Sequence, residues 1–367
     1  MRIGFDAKRA LHNQTGLGNY SRDVIRLFTQ NKPNDEFFLF DPVGKGIHFD
    51  YNLFNTHVIS SQRSSGLGKN IWRQYGLKRE IESLHLNVYH GLSNELPVGI
   101  ENTSVKTLVT VHDIIFDKHP EWYKRIDRTI YRNKTKRALQ VADFIIAISE
   151  QTKKDIIEVY KADPAKIKVV YQGCNPVFSE KQSAESIHAH LQGLHLPEQY
   201  LLYVGTIEER KNLHRLVQAM AELNIPLVAV GRKTDYFNKV QHALKGTALA
   251  NQFFHLTDLT LQQLAALYQK ARLFVYPSLY EGFGIPIIEA LHCGTPVITG
   301  KGCLQEAAGD GGICVDVTNV EELKAAITNA WFDDNLLGQL RFAGTEHVKK
   351  FTDEAIWQNW KEIYAGL

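Results

Sequence analysis

Short runs of apolar residues alternate with longer stretches of helical periodicity along the whole chain. This alternation is typical of β-α-β units that build a parallel sheet. In the first half of the chain it predicts strands at residues 2–6, 37–40, 88–90, 108–111, 144–148 and 168–170. A second series predicts strands at residues 200–205, 226–230, 253–256, 273–276, 297–299 and 313–315, with helices at 213–223 and 261–270. The pattern therefore predicts an α/β protein with two parallel sheets.

The polar segment at residues 178–196 has no strand signal and is rich in Ser, Gln and His. We interpret it as the seam between two domains, at residues 1–178 and 197–352. A length of 367 residues and a hydrophobic content of 44% are enough for two cores. A last helix, predicted at residues 353–365, carries an apolar stripe that must be buried, either on the first domain or on its own.

The formal net charge of +2 gives no overall attraction to nucleic acid, so we expect no nucleic-acid partner. Two stretches are nonetheless strongly basic. Residues 63–79 hold five Lys or Arg and no acid, and residues 122–137 hold seven against one Asp. Such stretches can rest on an anionic membrane surface or can be solvated helix faces, and the sequence leaves both interpretations open.

The cysteine pattern favours a reducing compartment. The four cysteines have neither C-x-x-C spacing nor the density of a secreted disulfide framework. The first residues lack the apolar stretch of a signal peptide, and no run of about 18 apolar residues occurs. We therefore expect a cytoplasmic protein that does not cross a membrane.

The segment at residues 276–296, YPSLYEGFGIPIIEALHCGTP, places two carboxylates around a glycine-rich turn that opens into a helix. Pro286 suits the start of a helix and Gly294 its end, which predicts a short helix at residues 286–293. The helix N-terminus offers N–H groups and a partial positive charge, so Glu281 would lie beside an anion site. Glu289 could reach a hydroxyl next to that anion. The arrangement suits a sugar nucleotide.

Polar residues also follow other predicted strands, where ligands bind in open parallel sheets. His112 and Asp113 come directly after the strand at residues 108–111, and a histidine there can donate to or accept from a substrate hydroxyl. Arg210 and Lys211 lie between a predicted strand and a predicted helix. Two adjacent cations in that position suit a pyrophosphate, although they can also be an ordinary solvated surface.

Gly16 and Gly18 follow the first strand after a long loop and precede a helix predicted at residues 22–28. Their backbone N–H groups could approach an anion, or the glycines could simply make a flexible connection. The segment is not a dinucleotide fingerprint, because Ser21 stands where the third glycine would be. Ser149 precedes a helix predicted to begin at residue 150, and an N-cap role is favoured over a ligand contact.

These elements occur together in a known family. The spacing of Glu281 and Glu289 resembles the E-x7-E signature of retaining glycosyltransferases, especially family four with its two-Rossmann (GT-B) fold. The segments at residues 16–18, 111–113, 148–150 and 205–212 extend the resemblance over nearly the whole chain. The resemblance implies two Rossmann-like domains facing across a cleft, the first binding the acceptor and the second the nucleotide sugar. It also implies that the last helix, through residue 367, returns to the first domain.

The resemblance further assigns roles to individual residues. The catalytic residues would be His112, Arg210, Lys211 and Glu281. The donor-binding residues would be Gly16, Gly18, Gly205, Gly231, Phe283, Gly284, Ile285 and Glu289, and the acceptor-binding or orienting residues would be Asp113 and Ser149. The chain lacks the D-x-D motif of the other main glycosyltransferase fold, so we expect no metal ion and no cofactor.

The segments at residues 15–28, 110–123 and 142–156 look most like bacterial mannosyltransferases of polysaccharide and O-antigen assembly. That likeness favours GDP-mannose as the donor and a lipid-linked glycan as the acceptor, with the basic stretches against an anionic membrane. Three alternatives remain open: a transferase that uses a UDP sugar, a nucleotide-sugar 2-epimerase of the same fold, and a partner subunit without catalytic activity.

Overall fold

The computed structural model describes residues 1–44, 55–61, 68 and 71–367. The chain forms two compact units, and each unit contains one parallel sheet. The first unit comprises Met1–Gly173 and Asp353–Leu367, and the second comprises Cys174–Thr352. The chain thus leaves the first unit a few residues before the predicted seam.

The first unit is built on a seven-stranded sheet in the order β3-β2-β1-β4-β5-β6-β7. All described pairs are parallel, and β1 lies between β2 and β4, with Ile3 opposite both Phe37 and Val88. The strands are β1 (Arg2–Asp6), β2 (Glu36–Asp41), β3 (Thr56–Ser60), β4 (Val88–Gly91), β5 (Lys106–Val111), β6 (Phe144–Ala147) and β7 (Ile167–Val169). The six predicted strands of this half are present. The edge strand β3 was not predicted, because its residues are at most half-buried and its apolar content is low.

The helices of the first unit cover both faces of this sheet, as expected for parallel strands with continuous apolar runs. A π-helical turn at Trp72–Gly76 leads directly into the helix at Leu77–Ser83. The helices are α1 (Lys8–His12), α2 (Gly16–Asn31), α3 (Leu77–Ser83), α4 (Ile115–Lys118), α5 (Arg125–Val141) and α6 (Glu150–Tyr160).

The start of α2 corrects the prediction for the glycine segment. The helix begins at Gly16, six residues before the predicted start at Arg22, so both Gly16 and Gly18 lie in its first turn. A Cβ at Gly18 would lie 1.8 Å from the backbone oxygen of Asn13. The glycine therefore serves the close approach of α2 to the end of α1, and the segment is not a flexible connection.

The second unit is built on a six-stranded parallel sheet in the order β10-β9-β8-β11-β12-β13. All six predicted strands are present: β8 (Leu201–Val204), β9 (Leu227–Val230), β10 (Phe253–Leu256), β11 (Leu273–Tyr276), β12 (Val297–Thr299) and β13 (Gly312–Cys314). The helices are α7 (Ala184–Leu191), α8 (Leu213–Met220), α9 (Phe237–Leu244), α10 (Leu261–Lys270), α11 (Ile285–His292), α12 (Cys303–Ala308), α13 (Val320–Phe332) and α14 (Asp334–His347).

The last helix, α15 (Asp353–Ala365), returns to the first unit as predicted. The ring of Phe28 contacts the rings of Trp357, Trp360 and Tyr364 at centroid distances of 5.2, 5.7 and 4.5 Å. Arg26 forms an ion pair of 2.7 Å with Asp353 at the start of the helix. The apolar stripe of α15 is therefore buried against α2. In the described part of the chain, every helix is too short or too polar to cross a membrane.

Both sheets contain a point where the direction of winding reverses. The chain winds outward from β1 through β2 to β3 and then restarts on the other side with β4. In the second sheet the same reversal occurs between β8 and β11. Ligands of open parallel sheets bind at the carboxyl ends of the strands that flank this reversal. A ligand-binding site is therefore expected at each of these two switch points.

Candidate active site

At the switch point of the second sheet, two glycines follow β8 and β9. Gly205 and Gly231 both have a φ of 152°, which side chains rarely tolerate. A Cβ at Gly231 would lie 2.0 Å from the backbone oxygen of Gly205. The two strand ends can therefore touch because Gly231 carries no side chain, and both strands end in a glycine backbone at this point.

Arg210 and Lys211 lie in a 3-10 turn (Glu209–Lys211) between β8 and α8, where the sequence placed them. Both contact the carboxylate of Glu281, which follows β11. The Lys211 Nζ donates to Oε1 at 2.5 Å, and an Arg210 guanidinium nitrogen contacts Oε2 at 2.6 Å. The other Arg210 amino group pairs with Glu208 at 2.7 Å. One carboxylate thus fixes two cations side by side.

Several contacts hold these two loops together. The Asn212 side-chain amide donates to the carbonyls of Pro277 and Val317 at 3.1 and 3.0 Å. The Ser278 hydroxyl contacts Glu281 Oε1 at 2.6 Å, and the Tyr276 hydroxyl donates to the same oxygen at 3.1 Å. Lys211 also donates to the Tyr276 hydroxyl. The cationic turn and the loop after β11 therefore form one rigid assembly.

The charges of this assembly depend on each other. Burial alone would raise the pKa of Glu281, but the charges of Lys211 and Arg210 outweigh burial and lower that pKa to about 2. Burial lowers the pKa of Lys211, while the attraction of Glu281 opposes that effect. Burial also opposes the charge of Arg210, but Glu281 and Glu208 outweigh it and raise the pKa of Arg210. Glu281 is therefore ionised at any physiological pH.

Helix α11 begins directly after this loop. It runs from Ile285 to His292, one residue earlier at each end than predicted, with Pro286 in its first turn. Gly284 has a φ of 126° and starts the helix, and no described side chain caps it. Phe283 is buried against Phe351, with ring centroids 5.4 Å apart. The side chain of Phe283 therefore anchors the turn, and the partial positive charge of the helix N-terminus adjoins Glu281.

Glu289 lies on the second turn of α11, partly buried. The Tyr268 hydroxyl donates to its Oε2 at 3.0 Å. Burial raises the pKa of Glu289 to about 7, and the bond from Tyr268 offsets only part of that effect. Glu289 therefore differs from Glu281, because it can exist in both protonation states near neutral pH.

In the first unit, His112 follows β5 and is 6% exposed. Its Nε2 lies 2.9 Å from the carbonyl oxygen of Leu92, and a carbonyl can only accept, so this nitrogen carries the proton. Burial lowers the pKa of His112 to about 4, so the ring is neutral at pH 7. The Nδ1 atom is then the ring's acceptor. The Tyr20 ring packs edge-on against the His112 ring, with centroids 4.6 Å apart.

The other predicted residues of the first unit shape its loops. Asp113 accepts a hydrogen bond of 3.1 Å from the backbone N–H of Ile115. Ser149 caps α6 by accepting from the N–H of Thr152 at 3.0 Å, as favoured from the sequence. Gly16 and Gly18 lie in the first turn of α2, the helix that also carries Tyr20. The first turns of α2 therefore adjoin His112 within this unit.

Sequence reasoning missed the side chains that support Glu281 and Glu289. Tyr276 is the last residue of β11, and Ser278 follows it by two positions. Tyr268 lies on α10, the helix that precedes β11. The sequence could have indicated these residues only through their positions directly after or beside buried strands. Among the described residues, no group of three or more His, Cys, Asp or Glu side chains is placed to share a metal ion.

Two family models match this chain. The model for "Glycosyltransferase Family 4" matches residues 22–178, and the model for "Glycosyl transferases group 1" matches residues 190–347. Together they cover most of both units. The chain thus consists of two glycosyltransferase domains, one matched by the family 4 model and one by the group 1 model.

Relatives and solved structures agree with this assignment. An Escherichia coli protein named O-antigen chain mannosyltransferase B is 28% identical over 98% of this chain and 97% of its own length. An O-antigen chain mannosyltransferase of Salmonella typhimurium is 29% identical over 60% of each chain. The structure of a sucrose-phosphate synthase from Thermosynechococcus elongatus superposes with a TM-score of 0.80 at 22% identity, covering 100% of this chain and 98% of that chain. The fold is thus the two-Rossmann fold of glycosyltransferases, and this chain is a sugar-transferring enzyme that uses a nucleotide-sugar donor and a glycan acceptor.

Proposed function

We propose that this glycosyltransferase moves a mannosyl residue from GDP-mannose to a hydroxyl of a glycan acceptor during bacterial polysaccharide assembly. The choice of mannose is supported by the relatives named O-antigen chain mannosyltransferases, one of which matches almost end to end. The acceptor of such a pathway is a lipid-linked glycan. The second unit would bind the donor and the first unit the acceptor.

The assembly around Glu281 is the observation that carries the proposal. Arg210 and Lys211 are adjacent, partly buried cations at the switch point of the second sheet. The strand ends at Gly205 and Gly231 carry no side chains, so a diphosphate could approach their backbone. A guanidinium and an ammonium held in place can stabilise the charge that grows on a departing nucleoside diphosphate.

The remaining donor contacts follow from the same loops. Glu281 and the backbone of Phe283, Gly284 and Ile285 would hold the transferred sugar beside the N-terminus of α11. Glu289, one turn further along this helix, would accept hydrogen bonds from the ribose hydroxyls. In the first unit, the Nδ1 of His112 would accept from a hydroxyl of the donor sugar, with Gly16, Gly18, Asp113 and Ser149 shaping the surrounding backbone.

The mechanism implied by the family retains the anomeric configuration. The glycosidic bond to the diphosphate breaks as the acceptor oxygen approaches the same face of the sugar, and the departing phosphate takes the acceptor's proton. The protein's own residues position the two substrates and stabilise charge, so no enzymic nucleophile is needed. Arg210 and Lys211 perform the neutralisation that a metal ion performs in other transferases.

A peripheral contact with an anionic membrane is part of the proposal. Helix α5 exposes Ile126, Ile130 and Tyr131 at 76%, 45% and 44%. Four cations lie between or beside them: Arg125, Arg128, Arg132 and Lys136. Exposed apolar residues within a basic surface suit anionic lipid, to which each nearby cation adds about 1 kcal/mol. The other basic stretch, at residues 63–79, lies partly outside the described residues.

Liposome flotation tests the membrane contact. The protein should float with vesicles that contain anionic lipid and should remain in solution with neutral vesicles. An Ile126→Glu, Ile130→Glu variant should lose flotation while keeping its thermal stability, since both side chains are exposed. Equal flotation with neutral and anionic vesicles would contradict the contact.

Thermal-shift measurement with GDP-mannose, UDP-glucose and UDP-N-acetylglucosamine tests the donor. GDP-mannose should raise the melting temperature more than either UDP sugar, because ligands stabilise the state that binds them. Incubation with GDP-mannose labelled in the sugar should then place the label on a glycan acceptor. A larger shift with a UDP sugar would assign a different donor, and free UDP with a changed hexosamine would indicate an epimerase instead.

A further inference from the structure

A cavity of about 250 Å³ lies in the first unit at the switch point of its sheet. Asp6, the last residue of β1, forms one wall, and Glu95, four residues after β4, forms another. Arg73, Tyr75 and Lys134 also line the cavity. We call this the Asp6 cavity. It occupies the same topological position in the first sheet as the Glu281 assembly does in the second.

The walls of the Asp6 cavity are held by a chain of ion pairs. Arg73 donates to Asp6 from Nε at 3.1 Å, and another of its nitrogens contacts Glu95 at 2.8 Å. Lys134 contacts the same oxygen of Glu95 at 3.2 Å. The side chains of Arg73 and Asp6 are only 12% and 6% exposed. A buried ion pair stabilises a fold little more than apolar residues of similar size, so stability alone does not explain why charged residues line this cavity.

The charge of the Asp6 cavity does not favour an anion. Two carboxylates face three cations, and the third cation, Arg137, is already paired with Glu101 at 2.7 Å. The remaining groups balance, so no net positive charge is left to attract a phosphate. Fixed carboxylates and ammonium groups are instead suited to the hydroxyls of a neutral sugar, each hydroxyl donating to one and accepting from the other.

An aromatic ring stands at the rim. Tyr75 is 60% exposed although it lines the cavity, so its ring is open to an incoming ligand. Apolar C–H faces of a sugar ring can pack on such a ring, while the polar groups below fix the hydroxyls. The volume is sufficient for one sugar ring but not for a longer glycan.

A short link joins the Asp6 cavity to His112. Asn94, next to Glu95 in the chain, accepts from the His112 backbone N–H at 3.1 Å and donates to the carbonyl of Asp113 at 2.9 Å. Glu95 is therefore one residue along the chain from the side chain that holds the backbone of His112, the residue to which the proposed function assigns the donor sugar. We propose that the Asp6 cavity binds the terminal sugar ring of the glycan acceptor, an uncharged hexose, through Glu95, Lys134 and Tyr75. This proposal rests on the proposed function, since it names the acceptor end of that site.

Binding of a simple glycoside tests the assignment without requiring turnover. Saturation-transfer difference NMR with methyl α-D-mannopyranoside should show binding to the wild-type protein. Glu95→Gln and Tyr75→Ala should each weaken the binding, about tenfold for Glu95→Gln, the loss typical of one charge-assisted hydrogen bond. Matched controls are Glu158→Gln, which removes an acid paired with Lys118, and Tyr131→Ala, which removes an exposed ring outside the cavity. Both controls should bind like the wild type.

Two further arms separate the possible outcomes. Inorganic phosphate should not displace the glycoside, and displacement would overturn the proposal in favour of an anion site. No binding by the wild type, or unchanged binding in both cavity variants, would also overturn it. The shift in melting temperature caused by GDP-mannose should be the same in the cavity variants and the wild type. If GDP-mannose causes no shift in any of these proteins while the glycoside still binds, the proposed donor fails and the cavity assignment stands.

Discussion

The two switch points of this molecule carry similar residues in different arrangements of charge. In the second unit, Arg210 and Lys211 share the carboxylate of Glu281 beside a helix N-terminus and glycine-bordered strand ends. In the first unit, Asp6 and Glu95 hold Arg73 between them next to an exposed aromatic ring. A carboxylate that binds two cations is central to one site, and a guanidinium that binds two carboxylates is central to the other.

This difference indicates how one fold can sort two substrates. Parallel sheets place loop residues of different strands together at the same edge, whatever those residues are. The two adjacent cations and the amide dipoles in the second unit suit a diphosphate. The balanced, aromatic-rimmed cavity in the first unit suits a neutral sugar. The predictions below challenge this contrast.

Replacement of the central acid in the second unit should have the largest effect. Glu281→Gln leaves Lys211 and Arg210 close together without their shared countercharge, which should lower the free energy of unfolding by about 3–5 kcal/mol. Urea denaturation would measure the change. Glu209→Gln is a matched control, because Glu209 pairs with Lys239 at 3.6 Å and is 63% exposed. A loss below about 1 kcal/mol in Glu281→Gln would show that the cations do not depend on this carboxylate.

Removal of one cation should instead affect turnover. Lys211→Met leaves the pair between Arg210 and Glu281 intact, so the fold should be kept. The loss of one charge-stabilising group should lower kcat by about 10²–10³-fold. Initial rates with saturating donor would measure it. Lys239→Met, which removes an exposed lysine of the same unit, should retain wild-type rates, and a similar rate in Lys211→Met would exclude a role for Lys211 at the diphosphate.

Glu289 should make donor binding depend on pH. Its pKa is about 7, and only the ionised carboxylate accepts from two ribose hydroxyls. Affinity for GDP-mannose should therefore rise about tenfold from pH 6 to pH 8, since roughly a tenth of the group is ionised one unit below its pKa. Calorimetric titration at the two pH values would measure the rise. Glu289→Gln should bind more weakly and without this dependence, and an unchanged pH profile in the variant would assign the effect to another group.

The same group has a predictable effect on stability. Its pKa in the folded chain lies above its ordinary value of 4.5, so the folded state binds more protons than the unfolded state between those two pH values. The contribution of Glu289 to the free energy of unfolding should therefore fall as the pH rises from about 4.5 to 7. Glu281 acts in the opposite sense, because its depressed pKa contributes stability that is lost only as the pH falls toward 2.

The smallest expected effect is that of chelation. If Arg210 and Lys211 neutralise the departing diphosphate, EDTA should leave the transfer rate unchanged. Rates with EDTA and with added Mg²⁺ would be compared at equal ionic strength, because salt alone screens exposed charges. Complete loss of turnover in EDTA would contradict this part of the account.

Much of the fold was predictable because buried parallel strands are continuous apolar runs. Twelve of the strands follow from that signal, whereas β3 does not, since it is an edge strand whose residues are at most half-buried. The predicted start of α2 was wrong for a different reason. Gly16 and Gly18 suggested a loop by their weak helix propensity, but the close contact of Gly18 with Asn13 decides the local structure.

The sequence predicted where the site residues lie along the chain, but not which of them contact each other. The sequence placed Arg210, Lys211 and Glu281 directly after strands of one sheet. It did not indicate that one carboxylate binds both cations, or that Tyr276 and Ser278 support that carboxylate. The contacts with Arg210 and Lys211 join loops about 70 residues apart, and the contacts with Tyr276 and Ser278 depend on the conformation of the loop after β11. For the same reason the Asp6 cavity, whose walls come from residues 6, 73, 95 and 134, left no motif in the sequence.

A crystal structure with GDP-mannose and methyl α-D-mannopyranoside bound together would test the central contrast most directly. The account predicts the diphosphate at Arg210 and Lys211 of the second unit, and the glycoside at Glu95 and Lys134 of the first. A diphosphate lodged against Arg73 and Lys134, or a glycoside in place of the diphosphate at Lys211, would contradict the claim that the arrangement of charge sorts the two substrates.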